Sequence, residues 1–306
     1  MAIFLAIDAG GTKADYVLAD EHVELARVRS GTIKRMRADE STTAANLAGA
    51  LSELHALSGV SMKQVDRTCI GTAGNTVPLV TDWLRRVLGQ QVSGELMLTG
   101  DVDIALDAAF HGGPGVLVLA GTGSNVAGRG ADGKVMGAGG WGPALADQGS
   151  GHRIGHEALR AIFLAKDEGK PTSLFEAVLD FWQLNGEDAV IEYANQIPSP
   201  DFSRLTHLVL AAALAGDHVA ASVLRREGEE LGYLGRLMIR RILAGSSANA
   251  ALPAVAFAGS IMQRVEPVRS ALVGALLFEF PSLDILPGVI DPLDGALWRA
   301  RRGNTA

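Results

Sequence analysis

Asp8-Ala9-Gly10-Gly11-Thr12-Lys13 and Gly121-Thr122-Gly123-Ser124 are the two stretches on which the reading of this chain turns. They lie more than a hundred residues apart, and each follows a short apolar run, Ile3 to Ile7 and Val116 to Ala120. A strand that ends in small residues lets backbone N–H groups and a hydroxyl approach an anion, because no Cβ stands in the way and glycine tolerates φ > 0. Two such loops can grip one polyphosphate, Gly10, Gly11, Thr12 and Lys13 from the first and Gly121, Thr122 and Gly123 from the second. Asp8 adds a carboxylate at its strand end, where it can hold a hydrated Mg²⁺ against phosphate oxygens, through water. One loop alone reads equally well as a hairpin turn. The pair, each after its own strand, points to a nucleotide.

Around the first loop the pattern is Ile3 to Ile7, Asp15 to Ala19 and Val23 to Val28 as strands, then a helix from about Thr43 to Leu57 with Ala44, Leu47, Leu51 and Leu54 on one stripe. A strand near Arg67 to Gly71, a helix near Val77 to Leu88, a strand near Leu96 to Thr99 and a helix from Val102 to Phe110 complete a mixed α/β unit. The plan then restarts with strands Val116 to Ala120, Val126 to Gly130 and Val135 to Ala138, a repeat of order and not of sequence. From Gly151 to about Ala244 the chain reads as mostly helical, followed by a strand at Ala254 to Ala258 and a last helix, about Pro292 to Arg302, after Pro287-Gly288.

The 306 residues, 48% hydrophobic and 20% charged, favour two domains. Apolar runs such as Leu208 to Ala215 fall far short of the ~20 residues of a membrane helix, and Met1 to Ile7 lacks the basic flank of a signal peptide. A cytoplasmic protein without membrane contact is expected. A formal charge of −7 argues against general nucleic-acid binding, which needs a basic face. Cys69 is the only cysteine, so one chain can build neither an internal disulfide nor a cysteine metal cluster.

Asp101 follows a strand and opens a helix. It can act as general base on a sugar hydroxyl, or simply cap the helix, the commoner use of Asp there. Asp103 and Asp107 are nearby rivals. Gly139-Gly140-Trp141-Gly142 with Asp147-Gln148-Gly149-Ser150-Gly151 is the densest irregular stretch, and so the candidate substrate loop. Trp141 can stack on a sugar face or an acetamido methyl, or can be a core residue in a glycine turn. Asp147 can bond a sugar hydroxyl or cap the helix that begins near Gly151. His152 and His156 have metal-ligand spacing, but only Glu157 is near as a third ligand. No Gly-Lys-Ser/Thr sequence occurs, which disfavours a P-loop kinase. Gly259 and Ser260 follow the late strand, where adenine and ribose could lie against backbone. Arg225, Arg226, Arg236, Arg240 and Arg241 mark a solvated helix face or a subunit contact.

Taken in order, these segments resemble the N-acetylglucosamine kinase family, related to the acyl-CoA-dehydratase-activator ATPases, in the actin, heat-shock ATPase and sugar kinase superfamily. The similarity spans nearly the whole chain and is most specific from Gly121-Thr122-Gly123-Ser124-Asn125 through Gly139-Gly140-Trp141-Gly142 to Asp147-Gln148-Gly149-Ser150-Gly151. It implies an α/β fold of two RNase H-like, actin-like ATPase domains flanking a nucleotide and sugar cleft. The first would hold residues 1–119 plus 287–306, the second 120–286 with a helical insertion. It also implies ATP and Mg²⁺ as cofactors, Asp101 as catalytic base, Ser124, Asn125, Trp141, Gly142 and Asp147 around the sugar, and a homodimer. Asp294-Gly295-Ala296-Leu297 matches the family's closing helix.

Three departures stand out. Where the family usually has an Asn soon after the third strand, this chain has the basic Gly31-Thr32-Ile33-Lys34-Arg35-Met36-Arg37, which would suit an acidic sugar or merely face solvent. Gln148 stands where Glu is common, and Ala9 replaces a glycine. The reading that follows is an ATP-dependent kinase for a hydroxyl of an amino sugar, N-acetylglucosamine to its 6-phosphate, with glucosamine or N-acetylmuramic acid as alternative substrates. The rivals are an ATPase that drives a partner protein, which in the activators needs cysteines for a shared iron-sulfur cluster, and a non-catalytic sugar sensor.

Overall fold

Ile3 to Ala9 reads as apolar almost without a break because its strand is covered on both faces. In the structure, a computed structural model that describes residues 1–247 and 250–303, this strand is β1 (Phe4–Ala9). It is followed by β2 (Lys13–Ala19), β3 (Glu24–Gly31), α1 (Glu40–Ser58), β4 (Arg67–Thr72), α2 (Pro78–Gln91), β5 (Glu95–Thr99) and α3 (Asp101–Phe110). A second round opens with β6 (Gly115–Ala120), β7 (Ser124–Arg129) and β8 (Val135–Ala138). Five helices come next: α4 (Gly151–Asp167), α5 (Leu174–Trp182), α6 (Glu187–Ala194), α7 (Thr206–Leu214) and α8 (His218–Ala244). β9 (Val255–Ala258), α9 (Ser260–Arg264), α10 (Glu266–Glu279) and α11 (Pro292–Arg302) close the chain.

Two units result, Met1–Gly113 with the segment from Ile290, and Pro114–Val289. The junction expected between residues 119 and 120 falls earlier. β6 is an inner strand of the second sheet, and a boundary through its end would cut its pairing with β7 and β9.

The first unit is a five-stranded sheet in the order β3-β2-β1-β4-β5, with β1 antiparallel to β2 and parallel to β4. One face packs on α1 and α2 through Leu47, Leu51, Leu54, Trp83 and Leu84. The stripe expected on α1 is shifted slightly, with Thr43 and Ala50 buried and Ala44 only partly so. The other face packs on α3 and the returning α11 through Ile104, Leu293, Ala296 and Ala300. Gly295 is required there, since a Cβ on it would stand 1.8 Å from the Ile104 carbonyl oxygen. Cys69 is buried in β4, and burial pushes its thiol up to about 12, so it is packing and not chemistry.

The second unit has the order β8-β7-β6-β9, with one bridge from Val255 to Ile285 beyond β9. Its core gathers β6, β7 and β9 with residues of the helices between Ile154 and Leu276. Among the described residues, four of the five α8 arginines, all but Arg226, have partners inside this unit. Arg225 pairs with Glu229, Arg236 and Arg240 share Glu279, and Arg241 donates to the Gly137 carbonyl. No single helix among the described residues is long and apolar enough to cross a membrane.

Candidate functional site

In the first unit the loop Gly10 to Thr12 links β1 to β2 in a tight antiparallel register, Ala9 opposite Ala14. Gly10 must be small, because a Cβ would lie 2.8 Å from the Lys13 carbonyl oxygen. Gly11, Thr12 and Lys13 are exposed. The Lys13 ammonium sits 2.9 Å from Asp15 Oδ2, which also binds Arg29, and the two cations hold Asp15 below the usual carboxylate range against the effect of burial. Lys13 therefore meets any ligand with part of its charge already answered.

Asp8, at the end of β1, is the electrostatic focus of this unit. Burial, followed by the charges of Asp101, Asp15 and Asp291, raises its carboxyl to about 6, with Lys34 pulling the other way. An oxygen-rich, negatively charged strand end suits a hard cation held mostly by water and phosphate, which needs only one or two carboxylates. Among the described residues no three His, Cys, Asp or Glu side chains gather as a metal set, so Mg²⁺ fits Asp8 as a water-mediated partner and not as an all-protein cage.

The two roles open to Asp101 are separated by geometry. The N-cap of α3 is Gly100, and the Asp103 carboxylate reaches back to accept from the Gly100 N–H at 3.1 Å and the Thr99 hydroxyl at 3.3 Å. Asp103 thus does the capping, and among the described residues the Asp101 carboxylate accepts only from its neighbour, the Val102 N–H, at 3.0 Å. Asp107 is fully buried and bound to Arg299, whose guanidinium also reaches Thr99. Of the three carboxylates on α3, Asp101 is the one left for other chemistry.

In the second unit, the loop Gly121 to Gly123 links β6 to β7 and is held from behind by α4. The Gly151 N–H donates to the Gly121 carbonyl at 2.7 Å and the His152 N–H to the Thr122 carbonyl at 3.2 Å. Ser150, not Asp147, caps α4 by accepting from the Arg153 N–H. Asp147 has another use. It is buried, adopts a left-handed φ of 65°, and accepts from the backbone N–H groups of Ser124 and Gly142, while burial raises its carboxyl. Asp147 therefore ties the Trp141 loop to the Gly123-Ser124 turn, and the Ser124 hydroxyl donates to the Gln148 carbonyl at 2.7 Å.

Trp141 is 74% exposed, which removes the core reading. The amides of Asn125 and Gln148 flank the Gly139-Gly140 turn that precedes it, and each has a buried side-chain oxygen with no hydrogen-bond partner among the described residues. Orphaned acceptors of this kind await donors, and sugar hydroxyls are donors. Sequence reasoning singled out Asn125 but saw in Gln148 only a lost charge. The two histidines of α4 pack their rings against Phe202, at 5.3 and 5.5 Å between centroids.

Gly121, Thr122 and Ser260 line one cavity of about 300 Å³, together with Gly151, Ser203, Arg204, Thr206, His207 and Arg264. Gly259 precedes Ser260 at the end of β9. With φ at 92° and Ala120 O only 2.3 Å from any added Cβ, it brings β9 and β6 together at this point. Ser203, Arg204, Thr206, His207 and Arg264 were not legible in the sequence, because nothing local marks residues of the helical insertion or of α9 as neighbours of the glycine loop.

A sequence profile of the BadF/BadG/BcrA/BcrD ATPase family matches residues 5–278. The N-acetylmuramic acid/N-acetylglucosamine kinase of Clostridium acetobutylicum is 26% identical, covering 98% of this chain and 99% of that one. The N-acetyl-D-glucosamine kinase of Dictyostelium discoideum is 29% identical over 96% of each chain. Among solved structures, a candidate N-acetylglucosamine kinase from Chromobacterium violaceum aligns with a TM-score of 0.73 at 25% identity, over 97% of this chain and 98% of that one. A second, from Porphyromonas gingivalis, aligns over the whole of both chains with a TM-score of 0.76 at 20% identity and speaks for the fold.

Proposed function

The chain belongs to the BadF/BadG/BcrA/BcrD ATPase family, and from that premise we propose that it is an ATP-dependent carbohydrate kinase acting on a hydroxyl of an amino sugar, N-acetylglucosamine to its 6-phosphate. The observation that carries this reading is the freedom of Asp101. Its helix is capped by Asp103 and its neighbour Asp107 is consumed by Arg299, leaving one carboxylate at the end of a strand where a general base is needed. The full-length similarity to two amino-sugar kinases supports the substrate class.

In this reading the sugar hydroxyl gives its proton to Asp101 as its oxygen bonds to the γ-phosphorus and the bond to the ADP oxygen breaks. Gly10 and Gly11, with the Thr12 hydroxyl, and Gly121 to Gly123, with the Thr122 hydroxyl, offer donors to phosphate oxygens. The cavity beside Ser260 takes the nucleoside, and Gly259 lets β9 lie close against β6 next to it. Asn125, Trp141, Gly142, Asp147 and Gln148 form the sugar side, with Asp147 acting as an organiser of backbone and the two orphaned amides as hydroxyl acceptors. Mg²⁺ would be held through water by Asp8 and would supply charge neutralisation on the transferred phosphoryl group. A cytoplasmic homodimer completes the proposal on family resemblance.

The test is ADP release from Mg-ATP in the presence of N-acetylglucosamine, glucosamine, N-acetylmannosamine, glucose, N-acetylmuramic acid or no sugar. Stimulation by an amino sugar supports the kinase. Turnover that ignores sugar, or nucleotide binding without turnover, overturns it in favour of a partner-driving ATPase or a sensor.

A further inference from the structure

Asp101 does little to fix itself in place, since among the described residues its carboxylate accepts only from the adjoining Val102 N–H. The corner between β5 and α3 on which it stands is held from α11 instead, by Arg299, 200 residues beyond Thr99. Arg299 Nε donates to Asp107 Oδ2 at 2.7 Å, Nη2 pairs with the same oxygen, and Nη1 donates to the Thr99 hydroxyl at 3.1 Å. That hydroxyl donates in turn to Asp103 Oδ2 at 3.3 Å, the oxygen that also accepts from the Gly100 N–H at 3.1 Å. The polarity is consistent throughout: the guanidinium donates, the hydroxyl accepts and donates, and the carboxylate accepts twice. Asp101 lies inside the span, Thr99 to Asp103, that this network closes.

Packing ties α3 to α11 as well. A Cβ on Gly295 would stand 1.8 Å from the Ile104 carbonyl oxygen and 2.5 Å from the Ala108 backbone nitrogen, so the two helices meet backbone to backbone. The rigid Arg299 fork can serve the buried Asp107 carboxylate and the Thr99 hydroxyl together, which a lysine ammonium on a flexible stem cannot. The corner also stands at the end of the sheet that matters for chemistry. Thr99 pairs with Gly71, and Gly71 with Asp8 at the end of β1. Arg301, on the same helix, serves the other end: it donates to the Asp20 carbonyl at 2.9 Å, next to Ala19, which pairs with Phe4 at the start of β1.

Resting on the kinase reading, we propose that Arg299 is a positioning residue for Asp101, acting through Thr99 and the Asp103 cap to fix where α3 leaves β5 and so where the base meets the acceptor hydroxyl. Asp103→Asn would keep an oxygen for both donors, so the network is cut at Thr99 and Arg299 instead. kcat, KM for N-acetylglucosamine, KM for Mg-ATP and Tm are measured for the wild type, Asp101→Asn, Thr99→Val, Thr99→Ser, Arg299→Lys, Thr99→Val/Arg299→Lys and Arg301→Met. Thr99→Val and Arg299→Lys should each lower kcat about tenfold or more with both KM values within about twofold, because a displaced base loses rate while the binding groups stay. Thr99→Ser keeps the hydroxyl and should restore most of kcat. The double variant should be no slower than the slower single one, since both changes cut the same network. Arg301→Met should lower Tm and leave kcat unchanged.

A fall in Tm with kcat unchanged in Thr99→Val and Arg299→Lys would make the network structural only and overturn the proposal. Additive losses in the double variant would do the same, as would a Thr99→Ser variant as slow as Thr99→Val. An equal fall in kcat for Arg301→Met would mark a general loosening of α11 and also overturn it. Should Arg299→Lys not fold, Thr99→Val, which keeps the shape of the side chain, decides the matter with Thr99→Ser beside it. A wild type that phosphorylates the sugar and is slowed by Asp101→Asn, but not by Thr99→Val or Arg299→Lys, sinks the proposal while the kinase reading stands. A wild type inert on sugar, or an Asp101→Asn variant as fast as the wild type, overturns both.

Discussion

The two units start from the same plan and diverge in what is added to it. In each, an inner strand that is apolar on both faces runs into a glycine turn and returns as an antiparallel neighbour, β1 to β2 in one and β6 to β7 in the other. The sheet orders β3-β2-β1-β4-β5 and β8-β7-β6-β9 match position for position over the four strands they share. In the first unit a single long helix, α1, separates the third strand from the fourth, and the surroundings of the turn are ionic: Asp8, Asp15, Asp101 and Asp291 with Lys34. In the second, five helices occupy the corresponding interval, and the turn is wrapped by backbone hydrogen bonds, buried amides and a cavity wall. The common turn offers donors to an anion, while the insertion decides whether charge or shape surrounds it.

The comparison is broken most sharply at Asp101. Asp101→Asn should lower kcat by ~10²–10⁴, the usual worth of a general base, while nucleotide affinity in a binding assay stays near the wild type. Asp103→Asn, which touches the cap and not the base, should instead lower thermal stability with a much smaller effect on kcat.

Next in size, the second unit should be the one that fails on a shape change. Gly259→Ala forces a Cβ against the Ala120 carbonyl in a left-handed backbone, and about 2–4 kcal/mol of stability should be lost, a drop in Tm of roughly 5–15 °C. Differential scanning calorimetry reads this directly, and a Tm within about 2 °C of the wild type would refute the packing argument.

Asp8 tests the ionic half. Its folded carboxyl titrates at about 6 against 3.8 in the unfolded chain, so its contribution is fully present below 3.8 and is lost as pH rises through 6. Above that the ionised group costs the ligand-free protein up to about 3 kcal/mol. Asp8→Asn should therefore raise the stability of the ligand-free protein at pH 7.5 and lose that advantage as pH falls below 4. Its Mg-ATP affinity should fall. A variant equally stable at both pH values would contradict the assigned cause.

The smallest effect is expected at Glu227, buried in α8, which accepts from the Gly149 N–H at 2.7 Å and has its carboxyl raised by burial. Glu227→Ala should cost about 1–3 kcal/mol by orphaning that donor, whereas Glu227→Gln keeps an acceptor and should cost less. Equal Tm values for the two variants would remove Glu227 as the support of the Asp147 loop.

Much of this was legible beforehand for a local reason. β1, β4 and β6 announce themselves as short apolar runs that end at small residues, and α11 as a Pro-led amphipathic stretch. The exposure of Trp141 was not, since a glycine-flanked indole suits either a core or a surface. Nor was the division of labour on α3, because three aspartates at positions 101, 103 and 107 have nearly the same local sequence claims until Thr99, Gly100 and Arg299 are placed beside them. The sequence by itself determined the order of the strands, the helices of the first unit, the two glycine turns and the family, because these follow from local periodicity and from motifs read along the chain, whereas α9 and α10 went unread. Only the tertiary structure decided which aspartate of α3 is left without a distant partner among the described residues, that the side-chain oxygens of Asn125 and Gln148 find no partner among them, and how the cations of the first unit pair. Those are properties of partners far apart in sequence, and a hydrogen bond or an ion pair exists only once folding has brought both ends together.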